Sequence, residues 1–319
     1  MKRLIECVPN FSEGRDAARI AALVHEVESA PGARVLDCHF DPDHNRSVVT
    51  FAGEPEAVEA AALAAVGKAT ELIDLNQHRG EHPRIGATDV LPFVPLEGVT
   101  MAECVSVARR VGEEIWKRYG IPVYFYENAA TRPERAKLEN IRRGQFAGLR
   151  EDVLSDPERA PDVGALRLHP TAGAIAVGAR KLLIAYNITL STADVSVAEQ
   201  IARAIRESSG GLPAVKAIGV VLRARRLVQV SMNLTDFEVT SIQQVFDAVR
   251  REAERRVCMI EGSEIVGLVP KRALDMTADY FFQLDSFSRE QILEERMASV
   301  FGESTQAEEP ATRAAHLAT

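Results

Sequence analysis

"KLLIAYN", Lys181 to Asn187, is the run that decides the fold, because the order of elements begins again there. Short, apolar and rich in β-formers, it reads as a strand. Beyond it, periodicity predicts a helix over Val195 to Glu207 and strands over Val215 to Leu222 and Leu227 to Asn233. A helix over Ser241 to Arg255 and a strand over Ile265 to Val269 close the set. The first half runs the same way. Strands are expected over Leu4 to Val8, Arg34 to Phe40, Ser47 to Phe51 and Asp89 to Val94. Helices over Asp16 to Ser29 and about Glu54 to Leu75 separate them, giving β-α-β-β-α-β. A helix over Met101 to Tyr119 and a strand over Val123 to Tyr126 extend this unit. Faint echoes, "LIECVPN" against "LIAYNI" and "VLPFVPL" against "IVGLVPK", suggest duplication. The expected class is α+β: two tandem ferredoxin-like (split βαβ) subdomains, each a mainly antiparallel sheet, with a ligand groove between them. A single large α+β sheet is the alternative that periodicity allows.

The first subdomain is expected to span residues 1–179 and the second 180–300, with 301–319 a disordered tail lacking any core pattern. Between the units, "DPERAPDVGALRLHPTAGAIAVGARK" (156–181) is too apolar for a linker and too rich in Pro, Gly and Ala for a helix. It reads as an ordered crossover lining the groove, where small-molecule sites tend to lie. Gly164 and Gly173 bracket a part whose small residues would let backbone approach a ligand. A side chain added at 173 should then enter the groove and not a core.

Composition excludes several classes. The 319 residues are 46% hydrophobic and 26% charged, with net charge −8, and no basic stripe offers a footing for nucleic acid. The N-terminus turns polar too soon for a signal peptide, and no apolar run reaches membrane-spanning length. Cys7, Cys38, Cys104 and Cys258 are far apart, which argues against disulfides or a zinc knuckle. A reduced, cytoplasmic protein is expected.

Three polar clusters carry the candidate chemistry. In "PNFSEGR" (9–15), Ser12 suits a helix cap and Glu13 its first turn, although a helix start could equally hold a carboxylate. "DCHFDPDHNR" (37–46) offers His39, Asp41, Asp43 and His44 as metal ligands, to which His78 and His82 could be added, but no HExxH is present and turn geometry favours the residues of the first group. "QHRGEHPR" (77–84) favours proton transfer. A histidine titrates near neutrality, Pro83 holds His82 extended, and Glu81 or a carbonyl could orient its ring. Arg79 and Arg84 suit carboxylates.

"ECVPNFSEG", "GEHPRIGATDVLPFVPL", "VGARKLLIAYNITL", "QVSMNLTDFEVT" and "GSEIVGLVPKRAL" together resemble the glutamate formimidoyltransferases over about residues 3 to 280. They are similar also to the N-terminal transferase portion of the formimidoyltransferase-cyclodeaminases, whose cyclodeaminase portion has no room in these residues. The resemblance implies transfer of the formimidoyl group of N-formimidoyl-L-glutamate to tetrahydrofolate, a step of histidine degradation and one-carbon metabolism. Tetrahydrofolate would be a co-substrate, and no metal is expected. The family's catalytic histidine falls on His82, as general acid and base. Its folate-binding stretch falls on Gly164, Ala165, Leu166, Arg167, Leu168, His169, Pro170, Thr171, Ala172 and Gly173. Because both substrates carry glutamate carboxylates, Arg46, Arg84 and Arg180 are candidate anchors, with Asn10, Asn45 and Asn187 as polar partners. The family's acidic assistant to the histidine is not matched at His39, so Asp37 or Asp41 is expected to serve. A homodimer is expected. The alternatives are a 5-formyltetrahydrofolate-utilising formyltransferase, a non-catalytic folate-binding protein and, more remotely, a metal-dependent hydrolase.

Overall fold

Alternating apolar strands and amphipathic helices are what the computed structural model contains, and it describes residues 2–80, 82–222, 225–277 and 287–302. The strands are β1 (Leu4–Cys7), β2 (Asn10–Phe11), β3 (Arg34–Asp41), β4 (Arg46–Gly53), β5 (Thr88–Glu97), β6 (Val123–Glu127), β7 (Ile175–Ala179), β8 (Ile184–Leu190), β9 (Val215–Leu222), β10 (Leu227–Leu234) and β11 (Ile260–Val266). The helices are α1 (Ala17–Glu28), α2 (Pro55–Leu72), α3 (Met101–Tyr119), α4 (Leu138–Ile141), α5 (Gln145–Asp152), α6 (Val195–Ile205), α7 (Ile242–Arg255), α8 (Lys271–Asp275) and α9 (Leu293–Gly302). The architecture is α+β with two sheets. None of the helices among the described residues is long and apolar enough to cross a membrane.

In the seven-stranded sheet, β3 lies beside β4, β4 beside β1 and β2, and these beside β5, all antiparallel. Beyond β5 the sheet turns parallel: β7 pairs with β5, and β6 with β7. The sheet is mainly antiparallel, as expected, and the two parallel pairings at this end are an addition to that expectation. Helix α3 acts as the crossover that returns the chain parallel, and β7 slides between β5 and β6. The same strand lies within the stretch expected to be crossover alone, because its sequence, IAVGA, has too few large residues to announce itself.

Helices α1, α2 and α3 cover one face. The Ala-rich side of α2 (Ala61, Ala62, Ala65, Ala69) lets it lie close to Ile5, Phe51, Leu91 and Phe93. Helices α4 and α5 cover part of the other face, where Ile141 and Leu149 pack on Val90, Tyr124, Tyr126 and Ala176. Residues Thr88 to Val94 are therefore buried on both sides, as their nearly unbroken apolar run requires.

The second sheet runs β11-β8-β10-β9, wholly antiparallel. The strand expected from Lys181 begins instead at Ile184, where alternation starts to place Ile184, Tyr186, Ile188 and Leu190 in the core under α6 and α7. The final strand begins at Ile260, earlier than expected. Helix α9, which ends the expected second subdomain and runs two residues into the expected tail, packs Leu293, Met297, Val300 and Phe301 with Leu36 of β3. Of the expected tail, residues 303–319 lie outside the described residues.

Candidate active site

Asn45 joins the three polar clusters into one. It adopts φ +50°, a left-handed conformation that Asn tolerates in turns. Its Oδ1 accepts from Gly14 N at 2.9 Å, and its Nδ2 donates to Arg79 O at 2.9 Å. Its carbonyl takes the His78 Nε2 proton at 2.8 Å. The side chain is thus committed to holding loops together. Gly80 completes the contact, since a Cβ there would lie 2.3 Å from His44 O. Ser12 works alongside: its Oγ donates to Gly86 O at 2.7 Å. It is not the expected helix cap, a task done by Asp16, which accepts from Ala18 N and Arg19 N. Glu13 folds back on its own loop, accepting from Arg15 N and Asp16 N.

The two histidines of the loop have opposite surroundings. His78 is buried, and because a carbonyl can only accept, its Nε2 carries the proton. Burial lowers its pKa, with Arg84 also opposing charge. His82 faces a charged niche. Its Nε2 lies 3.3 Å from Arg46 Nη1 and 3.9 Å from Asp89 Oδ2, and the His44 ring stands edge-on at 6.4 Å. Burial, then Arg46, Arg142, His44 and Arg84, push its pKa far below the usual imidazole range.

Asp89 was not among the residues expected at the site, and it is the carboxylate set beside His82. It is 1% exposed at the start of β5, with Oδ1 accepting from Ile85 N at 2.6 Å and Oδ2 paired with Arg142. The expected assistants are engaged elsewhere. Asp41 accepts from His44 N and pairs with its Nδ1 at 3.1 Å. Asp37 feels His39 and Arg296, and burial raises its pKa. A signal for Asp89 was present: it is the one charge in the run Thr88 to Val94. Arg142 gave none, since it directly follows the four-residue α4. Arg159 fixes that turn by donating to the carbonyls of Asn140, Ile141 and Arg143. Glu81 lies outside the described residues.

The far end of the crossover is sewn to both flanks of the histidine loop. Thr171 O accepts from Leu75 N, Pro170 O from Asn76 Nδ2, and Ala172 O from Ala87 N. His169 closes the turn, its Nδ1 accepting from Ala172 N at 3.0 Å. Leu168 packs on the core, while Leu166 and Arg167 are exposed. Gly164 and Ala165 lie at the other end, where Gly164 faces Trp116 and Pro122. The expectation that bulk at 173 would enter a groove is overturned. Gly173 has φ +71°, and a Cβ there would stand 2.2 Å from Ile85 O and 2.8 Å from Leu75 Cδ1.

Arg46 and Arg84 flank His82, and Arg84 also donates to His78 O at 2.8 Å. The remaining candidates sit on other elements. Asn10 donates to Val8 O. Arg180, just after β7, donates to Lys181 O and faces the buried Glu6, whose carboxyl burial pushes up to about 7 against the pull of Arg180. Asn187, in β8, donates to Glu264 Oε1 at 3.1 Å, as does Gln229 at 2.9 Å. Among the described residues no three His, Cys, Asp or Glu side chains group as ligands for a metal ion.

An unprotonated imidazole among guanidiniums can take a proton from a substrate whose negative charges those guanidiniums hold. Such an arrangement is chemically suited to acid-base work on anionic substrates. The sequence agrees with a profile described as the formiminotransferase domain, N-terminal subdomain, over residues 4–180, and with the formiminotransferase domain over 185–300. A glutamate formimidoyltransferase of Streptococcus pyogenes serotype M1 is 46% identical, over 93% of this chain and 99% of its own. One from Thermoplasma acidophilum is 44% identical, over 92% and 97%. The formimidoyltransferase-cyclodeaminase of Mus musculus is 44% identical over 88% of this chain, which spans 53% of that longer protein. The chain belongs to the formiminotransferase family.

Proposed function

We propose that this chain is a glutamate formimidoyltransferase, moving the formimidoyl group of N-formimidoyl-L-glutamate to N5 of tetrahydrofolate. Nearly end-to-end similarity to two enzymes of that name carries the reading. N5 attacks the amidine carbon, so a C–N5 bond forms and a tetrahedral intermediate results. His82 Nε2 accepts the N5 proton, then delivers it to the departing glutamate nitrogen as that C–N bond breaks. Glutamate and 5-formimidoyltetrahydrofolate leave. Arg46 and Arg84 hold substrate carboxylates, and Asp89 stabilises the imidazolium between the two transfers. Most of the acceleration comes from holding two small molecules in line.

The two units are tandem split-βαβ folds in this reading. Core order β5-β1-β4-β3 in the first matches β11-β8-β10-β9 in the second, supporting a common scaffold. Tetrahydrofolate lies in a groove between them, with residues 164–173 along it and Asn187 on the far wall. The junction of the crossover with the histidine loop supports that placement. The enzyme works as a cytoplasmic homodimer.

The test is to incubate the protein with formimidoylglutamate and tetrahydrofolate, with and without a chelator, and follow 5-formimidoyltetrahydrofolate by mass spectrometry. Transfer unaffected by chelator is expected. Tight folate binding without turnover, or turnover only with 5-formyltetrahydrofolate, would overturn it.

A further inference from the structure

We propose that Arg46 is a cap on His82 which the substrate's carboxylate removes, so that the imidazole becomes available as a base only when the anionic substrate is in place. The inference rests on the reading of His82 as proton acceptor. Arginine has donors and no lone pair. The 3.3 Å contact from Arg46 Nη1 is therefore a hydrogen bond only if His82 Nε2 is bare, with the ring proton on Nδ1. The nitrogen that must take the N5 proton has its lone pair occupied.

Every element around the ring contributes a charged or titratable group. Arg46 comes from β4, Asp89 from β5, Arg142 from the end of α4, His44 from the turn between β3 and β4, and Arg84 from the histidine loop. Four of the five oppose an imidazolium. Asp89 would favour one, but its Oδ2 is already paired with Arg142, and it lies farther from Nε2 than Arg46 does. Arg46 stays a cation, since burial and Arg142 bring it down only to about 10. Among the described residues, its other N–H groups meet no acceptor.

A guanidinium so placed exchanges a neutral acceptor for a better one when a carboxylate arrives. The bond to carboxylate is charge-assisted and can be bidentate, whereas that to imidazole is neither. Once Arg46 turns to the substrate, its charge is neutralised and Nε2 is uncovered beside Asp89. Basicity is then coupled to occupancy.

Nitrogen-15 NMR of the histidine rings, with His82 assigned through His82→Gln, tests this on the full-length protein. In ligand-free protein His82 should stay neutral and Nδ1-protonated from pH 8 down to 5.5. Saturating glutamate should make it titrate within that range. In Arg46→Gln, His82 should titrate without ligand, and glutamate should no longer shift its midpoint. KM for formimidoylglutamate should rise about tenfold or more in that variant, with kcat changed less. Arg46→Lys, which keeps the charge, should fall between the two in both readouts.

Ordinary His82 titration in the ligand-free protein overturns the proposal, as does a midpoint unmoved by glutamate. An imidazole still neutral at pH 5.5 in Arg46→Gln overturns it too. If that variant loses its circular-dichroism signature, the wild-type pair of titrations decides alone. A His82 that answers glutamate in a protein without transferase activity would sink only the functional reading.

Discussion

The two sheets share a strand order and differ in what is added to it. The second is four strands with α6 and α7 on one face, and its opposite face carries a polar network of Asn187, Thr189, Gln229 and Glu264. The first has β6, α4, α5, the crossover and β7 attached beyond β5. That addition supplies Arg142, covers part of the sheet's second face, and ties its last turn to the histidine loop. The first sheet thus gains its charged cluster around His82 in part through the segments attached after β5. The clustered charges stand on loops, and the added layer ties those loops down by hydrogen bonds.

That contrast can be broken in several places. The largest effect is expected from His82→Ala, which should lower transfer by roughly 10²- to 10⁴-fold with an unchanged melting curve. Near-normal turnover, together with abolition in His78→Ala, would exchange the two histidines' roles. Gly173→Val comes next, as a stability effect. Positive φ and the approach of Ile85 O should cost about 3 kcal/mol or more in denaturant unfolding. A normally stable variant with weakened folate affinity would instead restore the open-groove reading of that position.

Asp89→Ala leaves the partly buried Arg142 without its partner and the Ile85 N–H without its acceptor, and should cost about 3 kcal/mol. Asn187→Ala, its counterpart on the second sheet, removes one amide from an exposed Glu264 and should cost about 1 kcal/mol or less. Equal losses at the two would remove the distinction between the two faces.

Glu6 gives a pH test of the first sheet. Its folded pKa, about 7, is raised from an ordinary 4.5 by complete burial, so the folded state binds the proton more tightly than the unfolded. The stabilisation is full below pH 4.5 and is lost as pH rises through 7, by about 3 kcal/mol in all. Urea midpoints in Glu6→Gln should be flatter over that window than in wild type. Matching slopes would show that Arg180 ionises Glu6 throughout.

Large apolar residues at regular spacing made the scaffold legible. Helix α3 lies where the spacing of its Val and Ile residues puts it, and β9 likewise. Strand β7 was hidden because Ala and Gly carry little periodic signal. Site residues were legible as types and loops, but not as neighbours. Nothing local in Asn45 shows that it binds both Gly14 and Arg79, and the pairing of Asp89 with Arg142 spans 53 positions. Long-range ion pairs leave no period in a sequence.

Strand β3 is the edge of the first sheet, and a register shift between Val35 and Asp37 leaves the Leu36 carbonyl to accept from Arg296 of α9 at 2.7 Å. Some 260 positions separate that carbonyl from the arginine that covers it. At ordinary rates of synthesis, tens of seconds pass on the ribosome before the cover exists. A nascent chain therefore shows an uncovered strand edge with a free carbonyl for most of its birth, which is the surface that invites pairing with another chain. Chaperone demand, and the yield of truncations ending before Leu293, should follow from this edge more than from the site.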